Sequence, residues 1–139
     1  MGGMIGTLLE EGDETSPHIE RAINLAARRG ATLHAVYVID AWRFGEYSVY
    51  GWEELTREIH AEKSEEMLAA VRERCEERGV DFQASVEEGK PLETILEFAR
   101  AHDVDRLVCH RPRGEGRRVN TPKTLQKLYE ESPVPLEVV

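Results

Sequence analysis

The chain has 139 residues, 40% of them hydrophobic and 32% charged, with a formal net charge of -9. That length suits one domain, 1–139, with a single core of ordinary size. The acidic balance excludes general nucleic-acid binding, which needs a basic footprint. The two cysteines, Cys75 and Cys109, form neither a disulfide framework nor a zinc-ligand spacing, which fits a reducing compartment. Met1 to Leu9 lacks a signal-peptide layout, and no apolar run is long enough to span a bilayer, so the cytoplasm is the expected location. Lysines number four, Lys63, Lys90, Lys123 and Lys127, against fourteen arginines. That bias fits a high-salt cytosol and a GC-rich genome equally.

Met4 to Glu10 reads as a short buried strand, followed by a turn at Glu11-Gly12-Asp13-Glu14-Thr15. Ser16-Pro17 starts a helix, with a hydroxyl cap and then proline at the first helical position. Ile19, Ala22, Ile23, Ala26 and Ala27 recur at helical spacing, and Gly30 ends the element. Ala31 to Ile39 is a second strand. The next segment holds Trp42, Phe44, Tyr47, Tyr50 and Trp52. Three roles stay open for these aromatics: stacking on a base, a dimer surface, or ordinary packing on the sheet.

A long helix is expected from about Glu53 to Arg78, with Leu55, Ile59, Leu68, Val71 and Cys75 facing inward and Gly79 closing it. Val80, Phe82, Ala84 and Val86 alternate with polar residues, the pattern of a half-covered strand near a sheet edge. Gly89-Lys90-Pro91 turns the chain into a third helix, whose inward residues are Leu92, Ile95, Leu96 and Ala99. Val104 to Cys109 is a fourth strand. A helix begins at Thr121-Pro122 and carries Leu125, Leu128 and Tyr129. Ser132-Pro133 stops it, and Val134 to Val139 makes a last strand.

Between the fourth strand and the last helix the sign of the charge inverts. Arg111, Arg113, Arg117 and Arg118 lie in a stretch with Gly114 and Gly116, and Lys123 follows in the first helical turn. A strand, a basic glycine-containing loop and a helix N-terminus together can receive an anion through backbone N–H groups and the helix dipole. A solvated surface loop is the plain alternative. Strand and helix alternate throughout, which means a parallel sheet with helices on both faces. Ligands of such sheets bind beyond the strand carboxyl ends where strand order reverses. If the first and fourth strands are the central neighbours, Glu10 to Ser16 and Cys109 to Thr124 bound that crevice, with Val38 to Asp40 as a third wall.

The chain resembles the universal stress protein family over nearly its full length. The resemblance rests on Tyr37-Val38-Ile39-Asp40, similar to the family's apolar strand ending in Val-x-Asp, and on Gly89-Lys90-Pro91, similar to its Gly-x-Pro start of helix three. His110-Arg111-Pro112-Arg113-Gly114 resembles the family's Thr-Arg-Gly-Arg-Gly loop, and Ser132 to Val139 its Pro-Cys-Pro-Val terminal strand. The resemblance implies an open, Rossmann-like five-stranded sheet of order 3-2-1-4-5, of the adenine nucleotide alpha hydrolase type. It also implies an adenine-nucleotide site in some members and homodimers made by the terminal strand, here Val134, Leu136, Val138 and Val139. The family's nucleotide motif is Gly, two residues, Gly, nine residues, Gly, then Ser or Thr. Its positions fall here on Cys109, Pro112, Pro122 and Lys123, and none matches. The two prolines also remove N–H donors. The family's aspartate after the first strand corresponds to Glu10 or to Asp13.

Two functional readings follow, and a third, a small hydrolase, is the weakest because no activated nucleophile or metal set is visible. The first is a non-enzymatic stress or regulatory protein that does not bind ATP in the family manner. In the second, ATP with magnesium or another phosphorylated ligand is held by charge-assisted bonds from the arginines. The candidate binding residues are Glu10, Asp13, Val38, Asp40, His110, Arg111, Arg113, Gly114, Gly116, Arg117, Thr121, Lys123 and Thr124. No catalytic set is expected: Ser16 reads as a helix cap, without a Gly-x-Ser-x-Gly around it. The five histidines lie on different elements, so no metal site is expected either. His110 is either a proton-transfer group at the crevice or a structural histidine. Cys109 is either a thiol activated by arginines or a small buried hydrophobe.

Overall fold

The six-residue run Met-Ile-Gly-Thr-Leu-Leu carries no charge, and the fold keeps it from water on both faces. The computed structural model describes residues 3–10, 12–39, 52–89, 91–110 and 122–139, with the side chains of 14, 52–57, 91, 92, 122–125 and 128 outside that description. That run is β1 (Met4–Leu9), the middle strand of a five-stranded sheet of order β3-β2-β1-β4-β5. It pairs parallel with β2 (Thr32–Ile39) on one side and β4 (Arg106–Cys109) on the other. β3 (Phe82–Glu88) pairs parallel with β2, and β5 (Leu136–Val138) with β4. The expected topology and strand order are therefore the observed ones.

Parallel neighbours need crossover connections, and these are right-handed. From β1 the chain steps to β2 and β3 in one direction, then crosses back to β4 and β5. The helices are consequently divided between the faces. α1 (Pro17–Arg29) and α2 (Trp52–Glu77) cover one. There Ile19, Ile23, Met67, Val71 and Cys75 pack on Ile5, Leu9, Leu33, Tyr37 and Val108. α3 (Pro91–Ala101) covers the other face, with α4 (Pro122–Glu131) beside it. Ile95, Leu96, Phe98 and Ala99 pack there on Leu8, Val36, Leu107 and Cys109. Adjacent residues such as Leu8 and Leu9 thus serve opposite cores, as the two-residue repeat of a strand requires.

Several local details differ from expectation, each for a visible reason. Ile59 was placed on the inward face of the long helix, yet it is 43% exposed. Among the described side chains of α2, Ser64, Met67, Val71 and Cys75 are buried, with His60 half-buried one turn earlier. Steps of three and four carry that face back to residue 60, which leaves Ile59 about 100° off it. The third strand starts at Phe82 rather than Val80. Val80 is used to end α2: its N–H donates to the Cys75 carbonyl (2.8 Å), and that of Gly79 to Glu76 (3.2 Å). With Gly79 at φ 70 this is a Schellman closure, and it uses Gly79 and Val80 before the strand can begin. Val104 stands outside β4 because its N–H donates back to the His102 carbonyl at 2.8 Å in a tight turn.

α1 begins at Pro17 after an extended Ser16, as its sequence indicates, but the Ser16 hydroxyl makes no cap hydrogen bond. It donates instead to Oδ1 of Asp13 at 3.2 Å. On its outer side α1 is tied to β5. The guanidinium of Arg21 donates to both carboxylate oxygens of Glu137, at 2.6 and 3.0 Å. These bonds hold the Glu137 carboxyl below the usual carboxylate range and the Arg21 guanidinium above its own.

Gly6 sets how closely α3 approaches the sheet. A Cβ at this position would lie 3.0 Å from both Leu107 Cδ2 and Phe98 Cε1, and 3.4 Å from Val104 Cγ1. Leu107 is fully buried and Phe98 nearly so, leaving little room for either to retreat. Gly6→Ala is expected to lower stability by about 1–3 kcal/mol, read as a reduced midpoint in urea unfolding. An unchanged midpoint would mean that α3 sits less tightly than these distances indicate.

The crevice between β1 and β4

Strand order reverses between β1 and β4, and polar side chains collect beyond their carboxyl ends. Glu10 directly follows β1. A short turn, with Gly12 at φ 87 and a single 3-10 turn at Asp13–Thr15, leads from it into α1. The turn is closed from both ends: the Asp13 N–H donates to the Glu10 carbonyl at 3.0 Å, and the Glu10 N–H donates to Asp13 Oδ2 at 3.0 Å. The Asp13 carboxylate is fully buried. A buried carboxylate requires donors, and the Glu10 N–H and Ser16 hydroxyl supply one to each oxygen.

His110, the residue after β4, faces this turn. Its Nε2 lies 3.0 Å from Glu10 Oε2 and 3.7 Å from Asp13 Oδ2, and the ring is 4% exposed. His18, on the first turn of α1, is fully buried behind it. The two rings meet edge to face, with centroids 5.1 Å apart. The Nε2–H of His18 donates to the Leu8 carbonyl at 2.9 Å, which anchors the ring to β1. Two carboxylates and two imidazoles from positions 10, 13, 18 and 110 therefore occupy one small volume.

The sequence candidates divide accordingly. Glu10, Asp13 and His110 are brought together. Both acidic residues, rather than one of them, reach the imidazole. Val38 ends near the crevice, but its side chain is buried in the core beneath α3 and offers a ligand only its backbone. Asp40, Arg111, Arg113, Gly114, Gly116, Arg117 and Thr121 lie outside the described residues, as do residues 41–51 of the aromatic segment. Lys123 and Thr124 stand in the first turn of α4. Sequence reasoning missed His18 as a neighbour of His110. The histidines were judged by local spacing, whereas a parallel sheet joins residues about a hundred positions apart; the predicted crevice was the signal that could have paired them.

The cysteines follow their packing reading. Cys109 is buried in the α3 face, and burial first, then the neighbouring Glu10 charge, pushes its thiol up to about 12. Burial likewise raises Cys75 to about 11. Neither forms thiolate at neutral pH, so the activated-thiol reading of Cys109 is set aside. A second histidine pair, His34 of β2 and His102 just after α3, packs with Phe98 on the α3 face of the sheet. Burial lowers the pKa of His34, and its Nε2 shares a 2.6 Å hydrogen bond with the Ser85 hydroxyl.

Comparison with known proteins agrees with this architecture. The sequence model of the universal stress protein family matches residues 9–139. Universal stress protein MJ0531 of Methanocaldococcus jannaschii is 35% identical over 89 residues. That match takes in 64% of this chain and 52% of the relative, so it spans about half the relative's length. Among solved structures, a universal stress family protein from Burkholderia pseudomallei superposes with a TM-score of 0.77 at 20% identity, covering 99% of this chain and 95% of that one. The universal stress protein of Archaeoglobus fulgidus in complex with dAMP gives 0.67 at 12% identity, covering 99% and 97%. These two likenesses establish the shared fold. With the family match spanning almost the whole sequence, the chain belongs to the universal stress protein family.

Proposed function

We propose that this chain is a non-enzymatic, cytosolic regulatory member of its family that does not hold ATP in a glycine cradle. The observation that carries the reading is the His110–Glu10 contact at 3.0 Å beside the buried Asp13. The end of the β1–β4 crevice carries a side-chain network that is acidic on the β1 side. The motif positions support the same reading. Cys109 stands where the first motif glycine would be, with its side chain in the core and its carbonyl accepting from the Val139 N–H at 2.9 Å. A residue committed to the sheet in this way makes a poor phosphate cradle. Pro122 stands at another glycine position and has no N–H to give. Among the described residues, no helix is long and apolar enough to cross a membrane.

Calorimetric titration with Mg-ATP, at low and high salt, tests this reading. Silence with millimolar ATP is expected; a saturable signal of one ATP per chain would sink the proposal. The second reading is an adenine-nucleotide site that uses Arg111 to Lys123. It is favoured by the dAMP complex of a protein sharing the fold. Under it, Arg113→Ala with Arg117→Ala abolishes the calorimetric signal while leaving the melting temperature unchanged.

The proposal includes a homodimer through β5, the edge strand next to β4. The Leu107 N–H donates to the Pro135 carbonyl, and the Val139 N–H to that of Cys109, both at 2.9 Å. Residues 135 and 139 thus turn their backbone groups toward β4. By the alternation of a strand, Leu136 and Val138 turn theirs outward, where a second copy could pair. Val138→Pro removes one outward donor without touching a bond to β4. It is expected to yield a monomer by light scattering with near-normal melting; an unchanged dimer mass would exclude this interface.

A further inference from the structure

We infer that Glu10, Asp13 and His110 form a site for one divalent first-row transition ion, held by the chain's own side chains without a nucleotide. One donor atom from each residue lies within 4.8 Å of the other two. His110 Nε2 is 3.0 Å from Glu10 Oε2 and 3.7 Å from Asp13 Oδ2. Nitrogen and oxygen ligands of zinc sit at about 2.0–2.2 Å from the ion, so neighbouring ligands stand roughly 3.0–3.6 Å apart. The two distances to His110 bracket that spacing, while the two carboxylate atoms, within 4.8 Å of one another, draw together on the ion.

The chemistry of the set is selective. Two carboxylates match the charge of a divalent ion. An imidazole favours zinc, copper, iron or nickel over magnesium, which prefers oxygen ligands and its own water shell. The ion would replace the hydrogen in the His110–Glu10 contact, and that proton moves to Nδ1 of the same ring or to solvent.

The surroundings hold the ligands in place. Asp13 is oriented by the Glu10 N–H and the Ser16 hydroxyl, one on each oxygen. The His110 ring rests against His18, which is itself fixed to the Leu8 carbonyl. Such outer contacts orient ligands in metal sites. Asp13 and His110 are both buried, which separates this group from the exposed acidic pairs that cover the helices.

This inference deepens the reading of the crevice given above but does not require it. Zinc binding is measured on untagged, nucleotide-free protein by competition with a chromophoric chelator, with magnesium as the control. One zinc per chain is expected, with no competition from magnesium at the same concentration. His110→Gln and Glu10→Gln should each weaken zinc at least about 10-fold. Glu73→Gln, an exposed acid on α2, should leave it unchanged. Melting curves check that each variant is folded, and if His110→Gln is not, Glu10→Gln alone decides. Absence of saturable one-to-one binding overturns the inference. So does equal affinity in the wild type and a folded ligand variant, which would assign the zinc to surface carboxylates. Either failure leaves an ATP titration unaffected, and an ATP signal would count against the proposed function and not against the ion site.

Discussion

The burial of β1 on both faces and both edges is the constraint from which the remaining structure follows. A strand with no solvent-facing side must satisfy every backbone group by pairing with neighbours. β2 and β4 supply these partners. Because both are parallel to β1, the chain must return over the sheet after each strand. Right-handed returns then place α1 and α2 on one face and α3 on the other. Ile5 and Leu9 meet the first pair of helices, and Leu8 meets the third. The absence of a side chain at Gly6 lets α3 approach closely.

The same constraint creates the crevice. α1, which follows β1, and α4, which follows β4, lie on opposite faces, so among the described residues no helix fills the gap between the two strand ends. Polar groups released from the strand ends must find partners there. They do so through one another: the turn after β1 folds its own carboxylate inward, and the first residue after β4 supplies an imidazole. Burial raises the cost of leaving any of these groups unmatched. Here the crevice carries two acids facing one histidine. Fold and family membership alone do not settle what is bound, because the ligand is decided by these side chains.

Much of the architecture was legible in the amino-acid order. Alternation of apolar runs with helical repeats, the proline at Pro17 and the glycines at Gly30 and Gly79 mark the elements and their ends. The edge position of β3 was legible from its alternation and is the observed one, although Val86, which that alternation puts on the covered side, is exposed. Phase within a long, highly charged helix was harder to read. Ile59 looked inward because it is apolar, but the buried face is set by where α2 crosses the sheet, and that face passes through His60. Ser16 was legible as the start of a helix but not in its hydrogen bond, since its hydroxyl answers a buried acid whose burial no local pattern shows. The pairing of His18 with His110 was hidden for a related reason. Glu10, Asp13 and His110 were each visible as crevice residues, while their convergence on a single point depends on strand register.

The central claim is that the crevice is held by direct interaction between the end of β1 and the end of β4. A double-mutant cycle on Glu10→Gln and His110→Gln, followed by urea unfolding in metal-free buffer, tests it most directly. The account predicts a coupling energy of about 0.5–3 kcal/mol, with each single variant losing most of what the pair loses together. Additivity within about 0.5 kcal/mol would mean that the two residues stand side by side without acting on each other. That result would contradict the account.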